Sequence, residues 1–538
     1  MKVDLLYIAT IEQSPDWGFG SCVYIGKSLV EAKPIIENQL LHSMADYFMV
    51  INLDRFSLPL EKAIQEIINT KSGELWHIGL KCQYRNMPSV LNYVYPVWLY
   101  NLDAAPSIAS TSWRISAECF LVGKETLKKT FLFDTVFETT TAVGLDWGFR
   151  MYKSGVIIRY EPLLSHINEI GQYNSISLTD ELKFIKRNFS SKWFWWTCFR
   201  LYENGRSFSE ISKGFFKTYK NKKESPKFIQ RSNVITKQDF KDAKVSVFTP
   251  TLQRYSYLEE ELKQLRQQSV KPFEIFITDQ TDLDKRESNW LQDYKDLNII
   301  YQHQNEKGQC NAWNFCLDNA TGDYVLFLGD DADEIKENFI EELLSTMQNY
   351  KADMVACNIK ERENDYPFKQ PDVFITDTFP ICLVKREMFI KTGGYDYAYN
   401  KGSRADGDVA VRMYLNGALM VLNPNIKIHH HRAPVGGLRA HGQRTVTRSM
   451  SKKSMTHFQL PSFTELYLSK RYFSKLQQEE MRTIKKLSLV SVDGNIFRKL
   501  GKIFNYFTKR KQIESQFNEL NIAANKLQEN YPKIPAIK

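Results

Sequence analysis

Gly322–Glu334 reads GDYVLFLGDDADE, an apolar run of strand length that stops at a glycine and then sets out three clustered carboxylates, Asp330, Asp331 and Asp333. A short, continuous apolar run bounded by a turn signal is the pattern of a strand buried on both faces. The chain before it repeats that pattern. KVSVFTPTLQRYSYLEEELKQLRQQS, Lys244–Ser269, holds an apolar strand over Val245–Thr249, a proline turn, and then leucines at helical spacing. FEIFITDQTD (Phe273–Asp282) and LNIIYQHQ (Leu297–Gln304) supply two more strands, and a helix carrying CNAWNFCLDNA follows. Strands alternating with helices predict a mainly parallel sheet with helices on both faces, and in such sheets ligands sit beyond the carboxyl ends of the strands. Those ends carry Thr249, Pro250, Thr251 and Arg254, then Asp279, then the acidic cluster.

Taken together, Val245 to Arg432 resembles a family 2 glycosyltransferase of the GT-A fold. The resemblance rests on VSVFTPTLQR, ITDQTD, NEKGQCNAWNFCLDNATGDYVLFLGDDAD and ADGDVAVRMYLNG, in that order. Several ordered motifs are far more specific than one short pattern. The resemblance implies that Thr249, Pro250, Thr251 and Arg254 line the nucleotide pocket and that Asp279 reads the base or ribose. It places Lys307, Gly308, Asn311, Asn314 and Asp330 in the nucleotide-sugar site. Asp330 and Asp331 take the family's metal-binding carboxylate positions, for Mg²⁺ or Mn²⁺, and Asp406 takes that of the catalytic base.

The chemistry requires those residue types. A sugar nucleotide departs as a diphosphate whose growing charge must be neutralised, and a hard divalent cation needs only one or two protein carboxylates because water and phosphate oxygens fill its other positions. The acceptor hydroxyl is a poor nucleophile and needs a positioned base, which is what Asp406 offers. A single base attacking opposite the leaving group implies inversion at the anomeric carbon, as the resemblance also does.

The sequence departs from the family pattern in places. Gly329 stands where the family often has an acid, which leaves Asp331 as the surest metal ligand, and Trp313 stands where it often has Arg, which leaves Lys307 and Arg254 as candidates for the diphosphate. Within IHHHRAPVGGLRAHG, His429 and His431 are candidate metal ligands, since some relatives place a metal-binding His after the last core strand; a plain solvated turn is the other reading. GGLRAHGQR fits either a lid over the diphosphate or a linker. Asp333 is expected to cap the following helix, IKENFIEELLSTM. Asp406 can also cap the helix through Arg412.

The opening stretch has a worn copy upstream. ADYFMVINLDRFS (Ala45–Ser57) parallels it, GKETLKKTFLFDTVF parallels KREMFIKTGGYDYAY, and DWGFRMYKSG parallels DVAVRMYLNG. Asp134 with Asp396, Arg150 with Arg412 and Pro162 with Pro424 keep one spacing of 262 (396 − 134). In the upstream copy Asp54 stands where Asp331 does, and Gly144 stands where Asp406 does. The base is missing, and too few residues precede Asp54 for three strands and their helices. The upstream copy is therefore expected to be non-catalytic.

Composition bounds the rest. At 538 residues the chain exceeds one compact core, and 43% hydrophobic with 13% aromatic residues indicates folded domains over disorder. MKVDLLYIAT lacks the features of a secretion signal, and the apolar stretches VLNYVYPVWLY and KWFWWTCF are too short to span a bilayer. The eight cysteines are scattered without CxxC, which argues against a cysteine zinc site and a disulfide framework and fits a cytoplasmic protein. The formal charge of +10 is concentrated in two aromatic, basic stretches, Lys183–Lys223 and Ile496–Gln512. Each reads as an amphipathic helical region that either packs its aromatic face on a domain with its basic face solvated, or meets an anionic membrane surface, and no nucleic-acid motif accompanies them.

The expected organisation is an α/β chain with a degenerate GT-A-like domain at 1–170, a basic aromatic helical linker at 171–242, a catalytic GT-A domain at 243–432, and a lid loop with a helical region at 433–538. The expected activity is metal-dependent, inverting glycosyl transfer to a glycan or lipid-linked glycan, on the inner face of a membrane. The competing readings are two active transferase sites, a nucleotidyltransferase, and a non-enzymatic glycan-binding scaffold.

Overall fold

The computed structural model describes residues 1–79, 93–94, 97–165, 176–218, 225–231, 240–287, 289–361, 364–431, 433 and 448–537. Among them two sheets form. The first contains β1 (Val3–Ile8), β2 (Cys22–Tyr24), β3 (Tyr47–Asn52), β4 (Leu75–His77), β5 (Ser110–Thr111), β6 (Cys119–Gly123) and β7 (Ile158–Tyr160), in the order β2-β1-β3-β6-β4-β7-β5. The second contains β8 (Val245–Phe248), β9 (Glu274–Asp279), β10 (Ile299–His303), β11 (Tyr324–Phe327), β12 (Ala332–Asp333), β13 (Met354–Glu361), β14 (Phe374–Ile375), β15 (Cys382–Lys385) and β16 (Met420–His430). Its order is β10-β9-β8-β11-β15-β13-β16-β12, with β14 also paired to β16.

The central strands are buried on both faces, as parallel strands flanked by helices must be. Phe248, Phe276 and Phe327 pack into one core. Their alternates Val247, Ile275, Ile277 and Leu326 pack into another on the opposite face. The upstream sheet is divided in the same way, with Leu6, Phe48 and Val50 on one side and Leu5, Met49 and Ile51 on the other.

The two sheets share a strand order. From β2 to β5 in the first, and from β9 through β8, β11, β15, β13 and β16 to β14 in the second, each neighbouring pair has the same parallel or antiparallel sense. Among the described residues the first sheet has no counterpart of β10, in keeping with the short stretch before Asp54.

The stretch expected as a linker is part of the upstream domain. The helices Leu178–Asn188, Ser191–Glu203 and Phe208–Thr218 contribute Leu182, Phe184, Ile185, Phe194, Leu201 and Ile211 to its core. The reason lies in a second internal match that the 262 spacing hides. ELKFIKRNFS (Glu181–Ser190) aligns with ELYLSKRYFS (Glu465–Ser474) at a spacing of 284 (471 − 187). Both segments buttress the same place. Arg187 pairs with Asp134 at 3.0 Å, and Asn188 donates to Asp146 at 2.8 Å. Arg471 pairs with Asp396 at 2.5 Å, and the Tyr472 hydroxyl donates to Asp408 at 2.7 Å. The helices after each sheet are thus equivalent supports.

The domains touch through polar and aromatic groups. Arg231 pairs with Glu74 at 2.6 Å and donates to the Val373 carbonyl, Arg159 donates to the Gly417 carbonyl at 2.9 Å, and Trp98 packs on Tyr414 with ring centroids 4.7 Å apart.

Candidate active site

The carboxyl end of β11 delivers the acidic cluster, and the end of β16 delivers the histidines. β12 and β16 are antiparallel, with Ala332 opposite His430 and Asp333 opposite His429. Side chains alternate along a strand. His430 is therefore in phase with Ile426 and Ile428, which are buried, and His429 and His431 are in phase with the exposed Lys427. His430 Nε2 lies 2.7 Å from Asp331 Oδ1, and the other Asp331 oxygen accepts the Ala433 N–H at 2.8 Å.

Arg254 lies against both acids, with its Nη1 2.7 Å from Asp330 and 3.2 Å from Asp331. Burial works to raise both carboxyls. For Asp331 the hydrogen bond and charge of His430, with Arg254 and the Ala433 N–H, outweigh burial and bring it down to about 2. For Asp330 burial wins over Arg254, with Asp331 adding to it, and the carboxyl sits above its ordinary range. The more strongly ionised member of the pair is the one beside the imidazole.

Asp406 lies in the first turn of the helix Ala405–Leu415 and is exposed. Asp408, two residues on, is fully buried; it accepts from Arg412 and Tyr472, each within 2.8 Å. Arg404, at the N-cap, takes a left-handed backbone (φ 83°) and pairs with Glu465. Asp406 and His430 line one cavity of about 580 Å³ whose walls include Trp313, Phe327, Phe379 and Tyr395. An apolar hollow with a few converging polar groups is the usual form of a ligand site. Asp331 and His430 supply one carboxylate and one imidazole on converging strand ends, a donor set that fits a divalent cation keeping its other positions for ligand oxygens.

Residues 246–410 match the family model described as Glycosyl transferase family 2. This segment is a family 2 glycosyltransferase domain. An uncharacterized glycosyltransferase of Rickettsia conorii is 33% identical over 117 residues, which are 21% of this chain and 19% of that protein. A GalNAc(5)-diNAcBac-PP-undecaprenol beta-1,3-glucosyltransferase of Campylobacter jejuni is 28% identical over 125 residues, 23% of this chain and 40% of that one. The chain spans less than half the length of either relative. Among solved structures, the mannosyltransferase of Pyrobaculum calidifontis in complex with GDP-Man and Mn²⁺ is 15% identical, with 54% of this chain and 88% of that one covered at a TM-score of 0.35.

Within the glycosyltransferase domain, several expected ligand residues have structural partners instead. Asn314 is buried and exchanges both side-chain bonds with the Tyr395 backbone, at 2.7 and 2.8 Å, so it fastens its helix to the Tyr395 loop. Asp279 is fully buried and accepts from Tyr255, Tyr301 and the Thr281 N–H, all within 2.8 Å, so its carboxylate is closed off from a base or ribose. Thr249 is buried and donates to Glu261 at 2.8 Å. Burial drives the Glu261 carboxyl well above its ordinary range, with Asp330 and Asp331 adding to it. Asp330 is held by Arg254 and the Leu252 N–H.

Other expectations are met only in position. Pro250 and Thr251 follow β8, where Thr251 bridges to Asp279. Lys307 pairs with Asp282 at 2.7 Å. Gly308 precedes the helix Gln309–Asn319 and exchanges bonds with the Gln280 side chain. Asn311 faces a separate hollow of about 400 Å³ with Phe315, Asp318 and Tyr397. His429 and His431 are turned away from Asp331 and lie with Asp333, whose carboxylate meets His431 at 2.9 Å. Asp333 is accordingly in β12 and not a cap; Asn338 precedes the helix Phe339–Tyr350. GGLRAHGQR falls at residues 436–444, outside the described residues.

His430 and the aromatic lining were not singled out from the sequence. The signal for His430 was present in IKIHHH: the register that buries both isoleucines turns the middle histidine inward.

Proposed function

We propose that the protein transfers a sugar from a nucleotide diphosphate donor to a hydroxyl of a glycan or lipid-linked glycan, with inversion and dependence on a divalent cation, in assembly of a surface polysaccharide or glycolipid. The observation that carries this reading is the cavity shared by Asp406 and His430, with Asp331 bonded to the imidazole. Asp331 and His430 would hold Mg²⁺ or Mn²⁺, which when bound offsets the charge building on the leaving diphosphate. Asp406 accepts the proton of the acceptor hydroxyl as that oxygen attacks. Arg254 keeps the two adjacent acids from repelling one another, and Trp313, Phe379 and Tyr395 exclude water from the reacting centre. The name of the Campylobacter relative supports a lipid-linked glycan acceptor.

The upstream domain is read as non-catalytic. Gly144 stands where the base would be, and a Cβ there would lie 2.3 Å from the Ile115 carbonyl oxygen, so Ile115–Ala117 fills the space a side chain would need. Asp54 accepts from the Thr10 N–H and hydroxyl, at 2.8 and 2.7 Å, as a turn residue does. This opposes a second active site. Among the described residues no helix is long and apolar enough to cross a membrane. A peripheral position on the cytoplasmic face is part of the proposal and rests on the exposed aromatic and basic helices.

Nucleotide release from a panel of sugar nucleotides, with and without Mn²⁺, tests the reading. Metal-dependent release that Asp331→Ala abolishes is expected. No metal-dependent turnover with any donor, and no effect of Asp331→Ala on nucleotide binding, would overturn it.

A further inference from the structure

We propose that Asp333, His429 and His431 form a second cation site, distinct from the Asp331–His430 pair and suited to a transition ion such as Zn²⁺. One nitrogen or oxygen from each of the three side chains lies within 4.8 Å of the others. The arrangement follows from the ladder. His429, in β16, and His431, just past its end, are two residues apart in extended chain and present both imidazoles on one face, and β12 sets Asp333 directly across from His429. The imidazole rings stand 4.5 Å apart between centroids. His430, between them, points to the opposite face, so no single ion can be shared by all three histidines.

Three further observations point to a ligand. His429 Nε2 is buried with no hydrogen-bond partner among the described residues, a costly state for an imidazole nitrogen that lacks an ion to bind. The other Asp333 oxygen accepts from Gln264 at 2.7 Å, the outer bond that orients a ligating carboxylate. Glu334, next in chain, adopts a left-handed backbone (φ 57°) and sets its carboxylate 3.9 Å from His429 Nδ1, beside the ring nitrogen other than the unpartnered Nε2, as an outer partner for the imidazole. Strained backbone of this kind gathers at functional sites. Two imidazoles and a carboxylate with an open position suit Zn²⁺, Co²⁺ or Ni²⁺ and are a poor match for Mg²⁺, which demands oxygen ligands. Among the described residues no cysteine joins the group. An ion there would tie the ends of β12 and β16 together, and those ends carry Asp331 and His430 on the other face.

The test uses the untagged full-length chain, stripped with a chelator and titrated with Zn²⁺ and with Co²⁺ in excess Mg²⁺, with no nucleotide present. Saturable Zn²⁺ binding and a visible Co²⁺ absorption band are expected in wild type and in the double variant Asp331→Ala/His430→Ala. Both should vanish in His429→Ala/His431→Ala and in Asp333→Asn, and Gln264→Ala should weaken binding by about 10-fold or more. Circular dichroism verifies that each variant is folded, and the conservative Asp333→Asn carries the test if the double histidine variant is not. Binding lost with Asp331 and His430 but kept without His429 and His431 would overturn the proposal, as would binding indifferent to every one of these changes or no binding at all.

Discussion

Asp406 and Asp408 sit two residues apart on one helix and differ in almost every physical respect. Asp408 is sealed between Arg412 and Tyr472, and Asp406 is exposed to the aromatic cavity. A buried, fully paired carboxylate has no capacity left for a proton in flight, so of these two acids Asp406 is the one placed for the proposed role of base. Asp406→Asn should lower kcat by about 10² to 10⁴ with donor binding retained, measured by nucleotide release and by donor titration. Equal kcat in the variant would remove Asp406 from the mechanism. Glu261 gives a prediction of another kind. Burial holds its carboxyl protonated well above the ordinary glutamate range, whereas the unfolded chain releases that proton near pH 4.3 or so. Above that pH the folded state binds the extra proton, so its stability falls as pH rises until the native group also ionises. Glu261→Gln has no proton to lose, and its stability relative to wild type should increase between about pH 4 and pH 7 in chemical denaturation. A constant difference across that range would mean that Glu261 is ionised in place.

At the level of elements, the sequence told most where periodicity is strong. VSVF, EIFITD and YVLF are strands because apolar residues dominate their buried faces, where the buried Ser246 and Glu274 bond one another, and the chain beyond the last of them carries Asp330 and Asp331 at the strand end. Individual side chains were harder to assign, since Asn314 and Asp279 acquire their partners from segments distant in sequence, Tyr395 in one case and Tyr255 and Tyr301 in the other. The helices 178–218 pack their apolar faces on a domain, as amphipathicity implies, but which domain is not legible in the pattern, because it shows that a face is buried and not against what. Arg471 and Tyr472 show what such a helix does: they clamp Asp396 and Asp408 and so fix the Ala405 helix from outside the matched family segment. Tyr472→Phe should cost about 1.5–3 kcal/mol, the loss of a hydrogen bond to a buried charged group, and should lower kcat with it. Asn188→Ala removes the equivalent bond in the upstream domain. It should lower stability but leave kcat unchanged when assayed below the melting transition. Matching losses of kcat in both variants would show that the upstream domain contributes to catalysis.

For the whole molecule, the decisive feature is a helix packed with the wrong side outward for a water-soluble fold. Ile496–Thr508 buries Lys502, whose ammonium donates to the carbonyls of Ser451, Ser454 and His457. It leaves Phe497 77% and Phe504 68% exposed, with Leu500 and Phe507 beside them. A surface helix normally does the reverse. Arg498, Lys499, Lys509, Arg510 and Lys511 flank the apolar face. The upstream domain ends comparably, with Phe208 and Phe216 exposed near Lys213 and Lys217. Aromatic side chains at headgroup depth with basic neighbours suit an anionic bilayer, where each Lys or Arg adds about 1 kcal/mol. Such contact would hold the chain at a membrane, where the proposed lipid-linked acceptor is presented. The full chain should float with vesicles containing an anionic phospholipid and not with purely zwitterionic ones, and raised salt should weaken the association. Phe497→Ser/Phe504→Ser/Phe507→Ser should abolish flotation while nucleotide release with a soluble acceptor persists. Flotation that ignores lipid charge would argue against the basic residues. A dimer that this triple variant converts to monomer would assign the face to a second copy of the chain instead of to lipid.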